Sequence, residues 1–187
     1  MRIISGSARG RRLIAPKDFQ IRPTSDRVKE SLFSILTVLL GNFSGRRVLD
    51  IFAGTGNLGV EALSRGASEA VFIDGNREAA ALVKKNLDLA GFADRGRILH
   101  KEALAALKTL DKTEAPFGLV FLDPPYQEGL SEKVLEFLAL SELIDENSVI
   151  VAETAAREEL PSEFCRLQKF DKRVYGDTAI AFFMLTK

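Results

Sequence analysis

The chain has 187 residues, 46% of them hydrophobic and 28% charged, which is enough to bury one substantial hydrophobic core. Its apolar runs are shorter than a membrane span and its N-terminus lacks the apolar segment of a secretory signal, so a membrane protein and a secreted protein are both disfavoured. The single cysteine allows no internal disulfide, and we expect a cytoplasmic protein that is a monomer by default.

The first 23 residues are predicted to form a basic arm ahead of a main domain at 24–187. Residues 1–30 carry eight basic and three acidic side chains, a net charge of +5, and the rest of the chain carries −5. Apolar alternation on both sides of residues 6–10 predicts a short β-hairpin. A folded basic segment on a mildly acidic body is typical of a surface that grips a phosphate backbone, and a solvated extension without a partner is the alternative. The arm residues expected to contact RNA are Arg2, Arg9, Arg11 and Arg12.

After the arm, residues 24–40 are predicted to form a helix because their apolar side chains recur at helical spacing. A buried strand is predicted at 47–52, and Asp50 lies near its end, four residues before Gly54. In the glycine-rich turn that follows, Gly54 and Gly56 let the backbone approach a ligand closely. The glycine spacing also matches the dinucleotide fingerprint, but a carboxylate beside the turn would repel a pyrophosphate and suits a cationic ligand. S-adenosylmethionine carries an ammonium group, a sulfonium and no phosphate, and it is the predicted cofactor.

Acidic residues also follow the next two predicted strands. The strand at 70–74 ends in Asp74, whose carboxylate can accept both ribose hydroxyls of a nucleoside. Glu102 and Ala103 follow the strand at 97–101, where an acid can accept a hydrogen bond from an adenine amine. Each acid taken alone could be a solvated charge at the end of its strand.

The fourth strand, predicted at 117–122, runs into the tetrapeptide Asp123-Pro124-Pro125-Tyr126. The lone pair of a nucleobase amine is delocalised into the ring, so a carboxylate and a carbonyl that accept its two N–H groups make the nitrogen more nucleophilic. Asp123 can supply the carboxylate and Pro124 the carbonyl, because two successive prolines hold the turn stiff. Tyr126 offers a flat face on which an extruded base can stack. A plain strand-ending turn is the alternative, but a place at the carboxyl end of a buried strand, after three other acids, favours a ligand site.

Helices and strands alternate after residue 40, which predicts an α/β fold with a mostly parallel sheet and helices on both faces. Segments 164–174 and 178–186 are predicted to close the sheet as an antiparallel pair. His100 has no metal-ligating companions in its part of the sequence, so no metal site is predicted. The remaining predicted elements are helices at about 58–65, 77–90, 103–110 and 129–140 and a strand at 148–153.

These motifs resemble a class I S-adenosylmethionine-dependent methyltransferase of the amine-methylating type, which implies a Rossmann-like fold with a seven-stranded sheet. More closely, the chain is similar to the bacterial 16S rRNA (guanine(966)-N(2))-methyltransferase family over nearly its whole length. The closer similarity rests on the segments Arg2-Ile-Ile-Ser-Gly6, Arg9-Gly-Arg11, Arg22-Pro-Thr24 with the residues up to Glu30, and Gly59 to Ala67. Asp74 and Glu102 each stand where the family often has the other carboxylate, so cofactor binding is expected to be kept.

The resemblance implies methyl transfer from S-adenosylmethionine to the N2 amine of a guanine in small-subunit rRNA, within a partly assembled subunit. The implied cofactor-binding residues are Asp50, Gly54, Gly56, Asp74, Glu102 and Ala103. The implied catalytic residues are Asp123, Pro124 and Tyr126. Besides the arm arginines, the residues expected to border the cleft or contact RNA are Arg22, Thr24, Arg27 and Pro125.

Two other functions stay open at the level of the sequence. An adenine-N6 methyltransferase acting on RNA or DNA would share the Asp-Pro-Pro-Tyr motif, although the small chain has no separate target-recognition domain. A non-catalytic RNA-binding assembly factor could have the same fold, although it would not need intact Asp50, Asp74 and Asp123.

Overall fold

The structure, a computed structural model, describes residues 1–15, 26–125 and 129–186. The helices in these segments are α1 (Asp26–Leu40), α2 (Asn57–Ser64), α3 (Arg77–Ala90), α4 (Ala103–Leu110) and α5 (Leu130–Leu140). The strands are β1 (Arg47–Ile51), β2 (Glu69–Asp74), β3 (Gly96–His100), β4 (Leu119–Leu122), β5 (Val149–Ala155), β6 (Glu163–Phe164), β7 (Leu167–Tyr175) and β8 (Thr178–Leu185). None of these helices is both long and apolar enough to cross a membrane.

All eight strands form one sheet in the order β3-β2-β1-β4-β5-β8-β7-β6. Strands β1 to β5 are parallel, and β8, β7 and β6 extend the sheet with antiparallel pairing. β1 is the first strand of the sheet in chain order. β2 and β3 are added on one side of β1, and the chain then crosses to place β4 and β5 on the other side. The carboxyl ends of β1 and β4 therefore flank the point at which the strand order reverses, where open α/β sheets bind their ligands.

Helices cover both faces of the central part of the sheet. One face packs against α1, α2, α3 and the N-terminal arm, and the other packs against α4 and α5. The central strand β4 is a continuous apolar run because neither of its faces meets water, and all four of its residues are buried. Fully burying a Leu or Phe side chain contributes about 1.5–3 kcal/mol to the stability of the fold. The two apolar layers therefore hold the strands, and the residues at the ends of the strands, in place.

Local sequence sets the bounds of α3. The side chain of Asn76 caps the helix by accepting hydrogen bonds from the backbone N–H groups of Glu78 at 2.7 Å and Ala79 at 3.2 Å. Gly91 ends the helix at a φ of +76°, in the left-handed region that glycine adopts without strain. The predicted bounds of 77–90 are the observed ones.

The predicted mostly parallel sheet with an antiparallel C-terminal pair is confirmed. The sheet has eight strands rather than seven because Glu163 and Phe164 pair with the start of β7 as a two-residue edge strand, which is too short to leave a periodic pattern in the sequence. The predicted N-terminal hairpin contains one isolated antiparallel bridge, between Arg2 and Arg12, and backbone hydrogen bonds join Ile3 to Arg11 and to Gly10. The predicted start of α1, at Thr24 or Ser25, lies outside the described residues.

Residues 1–15 of the arm lie against α2 and α3 and contribute to the same core. Ile3, Ala8 and Leu13 are buried in the cluster that covers one face of the sheet. Gly6, at a φ of +85°, lies so close to α2 that a Cβ atom there would stand 1.8 Å from the carbonyl oxygen of Ser64. The arm is therefore part of the packed body as far as residue 15, and its predicted boundary at residue 23 lies outside the described residues.

Candidate active site at the carboxyl edge of the sheet

Asp50 and Asp123 stand on the two strands that flank the reversal of strand order. Asp50 in β1 pairs in register with Phe121 in β4, and the backbone N–H of Asp123 donates to the carbonyl of Ile51 at 3.4 Å. Side chains alternate along a strand, so Asp123, two residues beyond Phe121, projects on the same face as Asp50. The structure thus brings the first and the fourth of the predicted acids together at one end of the sheet.

The turn after β1 has an unusual backbone. Phe52 has a φ of +62°, which is rare for a residue with a side chain, and Gly54 and Gly56 have φ values of +55° and +74°. Gly56 is the N-cap residue of α2 and provides no side-chain cap. The cap is supplied from the sheet, because the backbone N–H of Gly59 donates to Oδ2 of Asp50 at 2.9 Å. The turn is thereby held against the strand that carries the acid.

Gly59 permits a close approach of α2 to the sheet. A Cβ atom at this position would lie 2.4 Å from Cε1 of Phe72 and 3.0 Å from Oδ2 of Asp50. The third glycine of the motif is therefore required by packing around Asp50.

Asp50 is a buried carboxylate, with 3% of its surface exposed. Desolvation raises the pKa of Asp50 to about 7, the hydrogen bond from Gly59 opposes that shift, and repulsion from Asp74 adds to it. A buried carboxylate at this place is costly unless a cation lies beside it.

Asp74 and Glu102 meet at the ends of β2 and β3. The two carboxylate oxygens of Asp74 accept hydrogen bonds from the backbone N–H groups of Gly54 and Asn76, each at 2.8 Å. A Cβ atom at Gly75 would lie 2.6 Å from Oε1 of Glu102, so this glycine, the residue after Asp74, lets the Glu102 carboxylate lie close to the backbone there. Ala103, the first residue of α4, is buried immediately behind Glu102.

Asp123 follows β4 and is exposed at the edge of the sheet. Surrounding protein atoms desolvate its carboxylate and raise its pKa well above the usual range, and repulsion from Glu153 and Asp50 adds to the rise. The residue keeps contact with solvent, so the desolvation is partial. Pro124 is half-buried and Pro125 is exposed, whereas Tyr126 lies outside the described residues.

Glu153 is a site residue that the sequence analysis did not identify. In the register of β4 and β5, Leu122 pairs with Ala152, so Glu153 lies beside Asp123 one residue further along. Strand β5 was predicted, but a half-buried acid within it gives no pattern that separates it from an ordinary polar position.

The arginines expected to contact RNA lie on the surface of the arm. Arg2, Arg9, Arg11 and Arg12 are exposed, and Arg27 is exposed on α1. Arg2 pairs with Asp26 at 3.1 Å, and Arg11 donates to the carbonyl of Leu89 at 3.2 Å. The predicted cleft residues Arg22 and Thr24 lie outside the described residues.

Three buried polar residues behind the site were also missed by the sequence analysis. Lys29 Nζ donates to the carbonyl of Arg2 at 2.6 Å and to Oδ1 of Asn57 at 2.7 Å, and lies 3.4 Å from Oε2 of Glu61. Glu61 accepts hydrogen bonds from the backbone N–H groups of Ile4 and Ser5 at 2.8 and 3.0 Å.

The third of these residues, Asn86 on α3, bonds to both the arm and the glycine turn. It exchanges two hydrogen bonds with the backbone of Ile14, at 2.8 and 3.1 Å, and donates to the carbonyl of Thr55 at 2.8 Å. Charged and amide side chains on helices ordinarily face solvent, so their spacing alone does not predict burial.

The residues at this edge fit S-adenosylmethionine by the chemistry of their acceptors. Desolvation, together with repulsion from neighbouring carboxylates, raises the pKa of Asp50 and of Asp123, so further negative charge at this edge is disfavoured. A sulfonium and an ammonium group would neutralise the charge of these carboxylates, whereas a pyrophosphate would increase the repulsion. Within the described segments, no three His, Cys, Asp or Glu side chains are grouped so as to hold a metal ion.

Comparison with known proteins agrees with this geometry. The family model described as Conserved hypothetical protein 95 matches residues 1–184. The chain belongs to this family. The family assignment made from the sequence motifs is thereby confirmed.

Relatives of the chain are named as RNA methyltransferases. The Bacillus subtilis protein "Putative rRNA methyltransferase YlbH" is 39% identical over 183 residues, which cover 98% of each chain. The Escherichia coli K12 protein "Ribosomal RNA small subunit methyltransferase D" is 34% identical over 179 residues, 96% of this chain and 87% of that protein. The structure of "Putative methyltransferase yhhF from Escherichia coli" superposes with a TM-score of 0.85 at 30% identity, covering 100% of this chain and 98% of that one.

Proposed function

We propose that this protein transfers a methyl group from S-adenosylmethionine to the exocyclic N2 amine of a guanine in small-subunit ribosomal RNA. The observation that carries the proposal is the adjacency of Asp123-Pro124 to Asp50 and its glycine turn across β4 and β1. An amine-binding carboxylate and a cation-binding turn that open onto one edge give the proximity that direct methyl transfer needs. The class of substrate follows from relatives that are named as rRNA methyltransferases.

In this proposal the cofactor is held by the acids of the first three strands. Asp50 with Gly54 and Gly56 would bind its methionine end, and Glu102 with Ala103 would bind the adenine. Asp74 already accepts one backbone hydrogen bond on each oxygen and keeps further acceptor capacity for the ribose hydroxyls. When bound, S-adenosylmethionine supplies an electrophilic methyl group, whose bond to sulfur breaks as the bond to nitrogen forms and S-adenosylhomocysteine is left.

Asp123 and Pro124 would orient the amine. An ionised Asp123 and the carbonyl of Pro124 accept the two N–H groups of the amine, which favours a pyramidal nitrogen with an available lone pair. The amine becomes acidic as it is methylated, and its proton then passes to Asp123 or to water. A strong general base is unnecessary, so positioning and electrostatics carry the catalysis. Tyr126 would stack on the base.

The arm would hold the RNA. Arg9 and Arg12 have exposed guanidinium groups and lie beside Arg2 and Arg11 on a surface suited to phosphate groups. Arg22, Thr24, Arg27 and Pro125 would complete the RNA contact at the cleft. We propose that the substrate is a partly assembled small subunit in the cytoplasm, and that the protein acts on it as a monomer.

The proposal is tested by methyl transfer from labelled S-adenosylmethionine to purified small-subunit rRNA and to partly assembled subunits, with nuclease digestion to nucleosides. The expected product is N2-methylguanosine. Recovery of N6-methyladenosine would replace guanine with adenine as the target. Cofactor binding without any label in either RNA substrate would overturn the proposed substrate class, and absence of cofactor binding in calorimetry would favour a non-catalytic assembly factor.

A further inference from the structure

The glycine turn of the cofactor site is bonded to the arm on both sides of Gly56. On one side, Asn86 donates to the carbonyl of Thr55 at 2.8 Å while its amide exchanges hydrogen bonds with the backbone of Ile14. On the other side, Lys29 donates to Oδ1 of Asn57 at 2.7 Å and to the carbonyl of Arg2 at 2.6 Å. Two separate side chains thus join the arm to the residues immediately before and after the N-cap of α2.

The two side chains that form these links are buried, although their backbone partners lie nearer the surface. Asn86 and Lys29 have no exposed surface, and Asn57 is 7% exposed. A buried amide or ammonium group that loses its hydrogen-bond partner is left unsatisfied, which is unfavourable. The arm and the turn therefore cannot shift independently without breaking a hydrogen bond to a buried side chain.

The two ends of these links belong to two different binding surfaces. The turn at Gly54 to Gly56 faces the proposed cofactor, and the arm carries Arg2, Arg9, Arg11 and Arg12 on its outer side. Neither Asn86 nor Lys29 is exposed to either ligand. Asn86 and Lys29 lie between the two surfaces and have no role in the proposed chemistry.

We propose that Asn86 and Lys29 are positioning residues that couple the two surfaces, so that the cofactor and the RNA bind cooperatively. An ordered arm fixes the backbone of the turn through Thr55 and Asn57, and an occupied turn fixes the arm through Ile14 and Arg2. Coupling between binding sites is reciprocal, so each ligand must tighten the other by the same factor. This inference rests on the proposed RNA contact of the arm.

The test uses the full-length protein, S-adenosylhomocysteine and small-subunit rRNA, with each dissociation constant measured in the absence and presence of the other ligand. The expected result is a tightening of about 5-fold or more in both directions, the usual scale of coupling between sites. Asn57→Ala removes only the turn end of the Lys29 link, and Asn86→Ala removes the second link. Both variants are expected to reduce the factor to below about 2-fold, whereas Asn147→Ala, in an exposed loop before β5, keeps it.

A change confined to the separate dissociation constants, with the coupling factor unchanged, would identify these residues as purely structural and overturn the inference. Equal affinities with and without the second ligand in the unmodified protein would overturn it as well. RNA that does not bind at all, or is not methylated, would instead contradict the proposed function.

Amide hydrogen exchange tests the same coupling in the unmodified protein, so it does not require that the variants fold. Addition of S-adenosylhomocysteine is expected to slow exchange at Ile14 and Ile4, whose N–H groups donate to Asn86 and Glu61. The N–H of Arg9, which donates within the arm to Gly6, serves as the internal control and is expected to change little. Unchanged exchange at Ile14 and Ile4 on saturation with the ligand would contradict the coupling.

Discussion

Lys29 Nζ lies 3.4 Å from Oε2 of Glu61, and neither side chain has any exposed surface. Burial lowers the pKa of Lys29, and the nearby Glu61 carboxylate opposes that shift. Arg65 donates to the other oxygen of Glu61 at 2.9 Å, so the buried carboxylate is shared between two cations and the backbone of the arm. The pair therefore joins α1, α2 and the arm in a layer that water does not reach.

Removing one partner of this pair is expected to destabilise the fold. Lys29→Met should lower the free energy of unfolding by about 3 kcal/mol, because it leaves the buried Glu61 carboxylate with less compensating charge. The measurement is chemical denaturation at pH 7. Arg97→Met is the control, since Arg97 pairs with Glu114 at a half-exposed site and such pairs contribute less than about 1 kcal/mol. Equal losses of unfolding free energy in the two variants would show that the buried pair contributes no more to stability than the half-exposed pair.

Gly59→Ala should distort the cofactor site by overpacking it. The added methyl would lie 2.4 Å from Cε1 of the fully buried Phe72, and overpacking of this kind costs about 1–3 kcal/mol. We expect weaker binding of S-adenosylhomocysteine as well, because the same methyl would press on the Asp50 carboxylate.

Gly118→Ala is the control for this substitution, measured by thermal unfolding and calorimetry. Its methyl would meet only the flexible side chain of Arg46, at 3.3 Å, so a loss of less than about 0.5 kcal/mol is expected. A Gly59→Ala variant as stable and as tightly binding as the parent protein would show that the close approach of α2 is not required.

Cofactor affinity should depend on pH through Asp50. The pKa of Asp50 is raised to about 7 in the folded protein, and a cationic ligand favours the ionised carboxylate. Binding of S-adenosylmethionine should therefore strengthen from pH 6 to pH 8 and release protons near neutral pH. Calorimetry in buffers of different ionisation enthalpy measures that release.

Asp50→Asn should remove most of this pH dependence and weaken cofactor binding by about 10-fold or more, as loss of a charged hydrogen-bonding partner does. The stability of the cofactor-free fold should change with pH in the opposite direction to cofactor affinity. The folded pKa of Asp50 exceeds the unfolded one, so Asp50 contributes stability that is lost as pH rises through about 7. Without bound cofactor, Asp50→Asn should therefore be at least as stable as the parent protein at pH 8. A variant that keeps the pH-dependent affinity would exclude Asp50 as its source.

Glu153 should set the acid limb of the pH profile for methyl transfer. Desolvation and, after it, repulsion from Glu153 raise the pKa of Asp123, so Glu153→Gln should lower that pKa in part and shift the acid limb to lower pH. Single-turnover rates between pH 5 and 9 would measure the shift. Glu146→Gln, at an exposed site before the other end of β5, makes the same change of charge and should leave the limb in place. An unmoved limb in the Glu153 variant would mean that Asp123 does not titrate in this range.

The positions of the site acids could be predicted because they follow from local pattern. Each apolar run ends in an acid, and parallel strands bring their carboxyl ends to one edge of the sheet. Asp50, Asp74, Glu102 and Asp123 each follow or end a predicted strand, and the structure brings them to the same edge.

The residues that the sequence did not reveal depend on contacts between distant segments. Lys29 and Glu61 lie on different helices and both bond to the backbone of the arm, and Asn86 bonds to segments far from it in the chain. The positive φ of Phe52 likewise follows from the tight turn between β1 and α2, since its residue type predicts the opposite sign.

The central claim is that the Asp123 carboxylate positions the nucleobase amine, and Asp123→Asn tests it most directly. Two quantities are measured, the single-turnover rate of methyl transfer to small-subunit rRNA and the dissociation constant of S-adenosylhomocysteine. The control variant is Asp94→Asn, which changes an exposed acid near the opposite edge of the sheet. We predict a rate at least about 100-fold lower with nearly unchanged cofactor affinity, the scale of losing one electrostatic contact to the reacting group. A variant that methylates RNA at the rate of the parent protein would contradict the account.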